Sequence, residues 1–145
     1  MKKWLMERVV ASAHAVEKAA NALGDRAAWS PLDKGRTAVD QIAECALITG
    51  MVADILASGV VPDPDWEAYG RAKAALDNVA AASALLHANT DKLRLSYEAL
   101  SDADAEREVA MPWGATYTLI ELPSVVLWNN TYHEGQINYI DTLGS

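Results

Sequence analysis

The chain has little of what punctuates, staples or carries a protein onto nucleic acid. Its 145 residues include one cysteine, Cys45, no phenylalanine, eight glycines and five prolines. A single cysteine excludes an intramolecular disulfide and a four-cysteine zinc site. Scarce glycine and proline beside abundant alanine point to helices. Bases are in deficit, 12 Lys and Arg against 20 Asp and Glu, for a net charge of −8. That balance argues against nucleic acid, whose phosphates need clustered bases, and against anionic membrane surfaces. No stretch reaches the roughly 18 consecutive apolar residues of a membrane span. Near the N-terminus, Glu7 and Arg8 interrupt the apolar run that a signal peptide needs. The expectation is a soluble, cytoplasmic protein in a reducing compartment.

What is present is apolar side chain at helical spacing. With 51% apolar and 22% charged residues, the chain reads as one globular domain over residues 1–145. The first helix is expected from Lys3 to Leu23, with Leu5, Val9, Ser12, Val16 and Ala20 on one side. A loop holding Trp29-Ser30-Pro31 follows. The second helix, Thr37 to Leu56, starts at the capping-box pair Thr37 and Asp40 and is apolar nearly all round. After Pro62-Asp63-Pro64, a stripe at spacings of three and four runs from Tyr69 through Leu76, Ser83, Leu86, Thr90 and Leu93 to Leu100. Its constant phase predicts one continuous helix over Trp66–Ala99. Pro112 and Gly114 form a turn whose flanks can pair as a short two-stranded ribbon. The last helix runs from Thr118 or Pro123 to about Leu143. The fold class is therefore all-α, a four-helix bundle with a short β-ribbon before the last helix.

Two side chains sit where apolar ones belong. His133 is centred on the inward stripe of the last helix, with Asn129 and Gln136 on its flank. Glu44 is centred between Ile48, Met51 and Ile55 on an inward stripe of the second helix. Such groups are costly to bury unless paired or bound. One reading is a hydrogen-bonded Glu44–His133 pair with Asn129 closing the network. The other is a metal site built from facing helices. His14 falls on a solvated face and His87 at the edge of a stripe, so neither reads as a ligand. Cys45 reads as a small buried hydrophobe rather than a nucleophile.

The segment Trp128-Asn129-Asn130-Thr131-Tyr132-His133-Glu134-Gly135-Gln136-Ile137 resembles the last-helix signature of the DinB/YfiT-like superfamily of metalloenzymes. Trp29-Ser30-Pro31, the stretch Gly35 to Ala46, and Met111-Pro112-Trp113-Gly114 before Thr118-Leu119-Ile120-Glu121 fit the same order. The resemblance implies a bundle, often dimeric, with a metal between the second and last helices held by three histidines. Carried over by position, those ligands become Glu44, Asn129 and His133, with Gln136 behind them. Three histidines suit Zn or Ni; this set is harder and richer in oxygen, with Mn a further candidate, and its neutral amide oxygen is a weak ligand. The resemblance also implies a metal-dependent transferase or isomerase using a low-molecular-weight thiol, or a metal-dependent hydrolase. Against this stands a bundle whose site is degenerate and holds no metal, with another small-molecule ligand or with none. The apolar circumference of the second helix suggests a homodimer.

Overall fold

The computed structural model describes residues 2–144. Six α-helices and one ribbon follow in order: α1 (Lys2–Ala22), α2 (Ala38–Ser58), α3 (Trp66–Ala74), α4 (Val79–Glu98), α5 (Asp102–Ala105), β1 (Glu108–Ala110), β2 (Thr116–Thr118) and α6 (Pro123–Leu143). Local chemistry sets the boundaries. Thr37 Oγ1 accepts the Asp40 N–H and starts α2, while Gly59, at φ 68°, ends it in a conformation that favours glycine. Pro123 opens α6 at a position whose N–H has no helical partner anyway. The ribbon pairs antiparallel, Val109 opposite Tyr117. Its Val109 and Met111 are buried against Leu119 and Leu122, so the ribbon plugs one end of the bundle.

Helices α1, α2, α4 and α6 form the bundle. Around its circumference α1 neighbours α4 and α6, and α2 neighbours the same two, so α1 and α2 are diagonal. The core divides into two layers. One gathers the start of α1 (Leu5, Val9), the ends of α2 (Val52, Ile55) and α4 (Leu93, Tyr97), and Val126. The other gathers Val16, Ile42, Leu86 and Ile137. It follows that α2 runs parallel to α4 and antiparallel to α1. A parallel pair needs a long return path, so the link between them is not the short connection expected from the sequence. Residues 59–78 climb the outside of the bundle, and α3 within them packs on α2.

This crossover corrects the expectation of a single helix over Trp66–Ala99. Helix α4 is continuous through Asn89, but the chain breaks at 75–78. Asn78 is extended (φ −148°, ψ 160°), and its side chain accepts the Ala81 N–H at 2.9 Å. The cap outcompetes the stripe because the stripe is shallow there: α3 has no buried residue, whereas Ser83, Leu86, Thr90, Leu93 and Tyr97 are all buried. The apolar circumference of α2 that suggested a dimer is likewise largely covered within the chain, by α3 as well as by the bundle. By length and composition α2 is apolar enough to cross a membrane, yet here it packs against α4, α6 and α3.

Between the two layers lies a polar belt. Ser12, Thr49, Thr90 and Asn130 are buried in it, one from each bundle helix. Thr49 and Thr90 bond back to Cys45 O and Leu86 O, each at 2.7 Å, and Asn130 Nδ2 donates to Ser12 Oγ at 3.1 Å. No tryptophan joins the core: the five are 37–73% exposed. At the same level α2 and α4 approach closely. Asn89 Nδ2 donates to Ala46 O at 2.8 Å, across Gly50, where an added Cβ would stand 2.6 Å from that nitrogen.

Two effects oppose each other at Gly50. Alanine gains about 1 kcal/mol of helix propensity, but it displaces an amide whose hydrogen bond contributes about 1 kcal/mol. Gly50→Ala is therefore near neutral or destabilising alone. It becomes stabilising, by about 1 kcal/mol, in the Asn89→Ala background, as urea unfolding of the four proteins of the cycle will show.

Candidate functional site

The seam between α2 and α6 gathers the polar groups. His133 is 1% exposed. Its Nε2 lies 3.0 Å from Glu44 Oε1, so two residues expected inward from their stripes do meet. Its Nδ1 lies 2.9 Å from Gln41 Oε1 and 3.0 Å from Gln136 Oε1. Both amides spend their NH2 groups elsewhere, Gln41 on Arg36 O at 3.3 Å and Gln136 on Tyr132 Oη at 3.1 Å. Their carbonyl oxygens are thus turned to the ring, and Nδ1 is the donor. The second oxygen of Glu44 accepts from Arg36 Nη2 at 2.6 Å. Arg36 also pairs with Asp40, which accepts from Lys73 Nζ of α3 at 2.7 Å.

Sequence reasoning missed four members of this chain: Arg36, Asp40, Gln41 and Lys73. Three carried a signal. Arg36, Asp40 and Glu44 follow at i, i+4, i+8, which stacks them on one helix face. Gln41 lies three residues before Glu44, hence on the same side. Lys73 had none, because the crossover alone brings α3 to α2.

Proton affinities follow from these contacts. The hydrogen bond from His133, assisted by the Arg36 charge, holds Glu44 below the ordinary glutamate range against the opposing effect of burial. For Asp40, burial pulls upward, but hydrogen bonds from Lys73 and Arg36 prevail and its carboxyl is lowered. Burial, reinforced by the Glu44 charge, pushes both the Cys45 thiol and the Tyr69 phenol up to about 12. Cys45 is thus inert, as its reading as a small hydrophobe anticipated.

Asn129 is not drawn into the pair. It is buried, and its Nδ2 donates to Cys45 Sγ at 3.7 Å. As a metal site the seam has a poor donor set. Glu44 has one oxygen on His133 and the other on a guanidinium, and Asn129 turns its NH2 toward sulfur. A divalent ion would have to displace the proton between His133 and Glu44 and compete with Arg36. Strong donors number two rather than three. The residues present do not fit a resident metal.

Clefts flank the pair. One, of about 690 Å³, is lined by Ile48, Trp113, Tyr117, Trp128 and Asn129. The other, of about 800 Å³, is lined by Arg36, Gln41, Tyr132 and Gln136 beneath Leu32. Trp128 stacks on Tyr132 (5.3 Å, 10°), whose ring meets His133 edge-on at 5.3 Å. Away from this seam, His14 and His87, read from sequence as unrelated surface and edge residues, converge on Glu17. His87 Nε2 lies 2.6 Å from Glu17 Oε2 and the two imidazole centroids are 4.7 Å apart.

A lowered Glu44 stabilises the fold fully above the unfolded glutamate value of about 4.3, and that stability is lost as pH falls through the lower folded-state value. Glu44→Gln is expected to cost about 1–3 kcal/mol at pH 7. The gap from the natural sequence should close as acid unfolding is followed below about pH 4.

Among solved structures, the chain is similar to the crystal structure of the mycothiol-dependent maleylpyruvate isomerase, with a TM-score of 0.74 and 14% sequence identity. It is similar also to that of a histidine-to-alanine mutant of the mycothiol-dependent maleylpyruvate isomerase, with a TM-score of 0.72 and 14% identity. In both comparisons 94% of this chain is covered but 60% of the other, so the chain spans about three-fifths of those proteins. No family model matches the sequence, and no curated protein matches it. The architecture is the all-α fold shared with those isomerases, with the two-stranded ribbon ahead of the last helix.

Proposed function

We propose that the chain is a DinB-like bundle protein whose α2–α6 site is a degenerate metal site. The Arg36–Glu44–His133 ion-pair chain stands where the sequence resemblance puts a metal, and the adjoining cleft takes a small organic ligand. The observation that carries this reading is the Arg36 guanidinium 2.6 Å from Glu44 Oε2, a fixed cation beside the carboxylate. The displaced proton affinities support it. Glu44 and Asp40 move down and Cys45 and Tyr69 move up, all away from neutrality. General acid–base catalysis needs the opposite tuning. The cleft of about 690 Å³ is of the size that takes small ligands, and its aromatic lining suits an apolar or thioether-bearing one.

The alternative is a metal-dependent transferase using a low-molecular-weight thiol. It draws support from the mycothiol-dependent isomerases that share the fold and from His133 Nε2 beside Glu44 Oε1. The two readings separate at His133. Zinc added to the metal-free chain should leave the His133 ring signals in imidazole ¹⁵N NMR unmoved. His133→Ala should cost about 2–4 kcal/mol equally with and without chelator, because it empties a buried position and leaves Glu44 Oε1 and the two glutamine carbonyls without their donor. A shift of the His133 ring nitrogens at stoichiometric zinc would overturn the proposal in favour of the alternative.

A homodimer is proposed as well. Trp128, Tyr132, Tyr139 and Leu143 form an exposed stripe along α6, and contiguous apolar surface of this kind favours association. Sedimentation equilibrium at micromolar concentration should return the dimer mass, and a monomer would refute it.

A further inference from the structure

We infer that His14, Glu17 and His87 form a divalent metal site of the zinc class, on the α1–α4 seam. Around the bundle this seam lies opposite the one that carries Glu44 and His133. The ligand atoms of the three residues lie within 4.8 Å of one another. Two come from one helix at i, i+3 spacing, which places them on a common face, and the third comes from the helix packed beside it. Two imidazoles and a carboxylate are the donor types that zinc and its neighbours prefer.

The geometry needs little adjustment. Donors at about 2.0–2.1 Å from a tetrahedral zinc stand about 3.4 Å apart. Here Glu17 Oε2 lies 2.6 Å from His87 Nε2 and 3.9 Å from His14 Nδ1, so one separation opens and another closes by less than an ångström. The side chains can make that change. His14 is 65% exposed, and His87 and Glu17 are 32% and 28% exposed, while their backbones sit in helices held by the core at Ala13, Val16 and Leu86. The site is thus rigid at its base and adjustable at its tip.

It differs from the opposite seam in two features that count there, with three strong donors in place of two and no guanidinium on its carboxylate. There a guanidinium holds one oxygen of Glu44. At Glu17, among the described residues, the structure records only the two imidazoles as ion-pair partners. The net charge of −8 favours a cation's approach. Three protein ligands leave the fourth position to solvent, the pattern of an open rather than a closed zinc site. Occupancy would join α1 to α4, so metal would raise the melting temperature through binding to the folded state alone.

The test uses the full chain without a histidine tag, stripped of metal, titrated with Zn²⁺ against a chromophoric chelator and followed by imidazole ¹⁵N NMR. One zinc per chain is expected, with the His14 and His87 ring signals shifting. His14→Ala and His87→Ala should each weaken binding at least tenfold, and Glu17→Gln about as much. The His133 ring signals should stay unmoved. Circular dichroism checks that the variants, all at exposed or half-exposed positions, keep the fold, and His87→Cys, which supplies another zinc donor, should retain binding. Binding weaker than about 100 µM, or affinity unchanged in His87→Ala, would overturn the site. Because the α2–α6 reading is judged on His133 and this one on His14 and His87, either can fail without the other.

Discussion

Helix α2 lies at the middle of the fold and carries three charges, all acidic, on a body that is otherwise almost wholly apolar. Asp40 and Glu44 are half-buried and must each be met by a partner from another element, the exposed Asp54 takes one as well, and the rest of the architecture follows the ways in which that is done. Asp40 is met by Arg36 from the preceding loop and by Lys73 from α3. Glu44 is met by Arg36 and by His133 from α6. Asp54 is met by Lys92 from α4. The ion pairs thus join α2 to three other helices and to the loop before it. At the half-buried Asp40 and Glu44 their worth lies less in net stability than in fixing which helix stands against which, since a misplaced neighbour would leave a carboxylate unpaired.

The division of the core has the same logic. Two apolar layers alone would permit α4 or α6 to slide by a turn with little loss of buried area. The belt of Ser12, Thr49, Thr90 and Asn130 between them removes that freedom, because Asn130 finds Ser12 at only one axial setting. The approach of Asn89 to the α2 backbone over Gly50 does the same for α2 against α4. Polar groups that cost stability in isolation here define axial register.

What the sequence made legible was what periodicity and capping encode. The spans of α1, α2 and α6, the ribbon, and the inward placement of Glu44 and His133 all follow from spacing. The break at 75–78 was hidden because the turn preserves the phase of the stripe, so that Tyr69, Leu76 and Val79 continue the count although the chain has left the helix. Asp77-Asn78 ahead of Val79 and three alanines is the local signal that outweighs it. The parallel course of α2 and α4 was illegible for a different reason: neighbour order around a bundle depends on contacts between distant residues. The same limit hid Lys73 beside Asp40 and kept His14, Glu17 and His87 apart. The partner of Asn129 was a matter of orientation. Its helical position is right for the pair, but Cys45 takes its NH2 group.

The exclusion of every tryptophan from the core has a practical corollary for light. Indoles that already face water emit at long wavelength, so unfolding will move the emission maximum little, and intrinsic fluorescence will understate the transition. The same property makes the signal sensitive to anything that covers the surface. Trp113 and Trp128 line one cleft, and a ligand settling between them would dry both rings and draw their emission toward the blue.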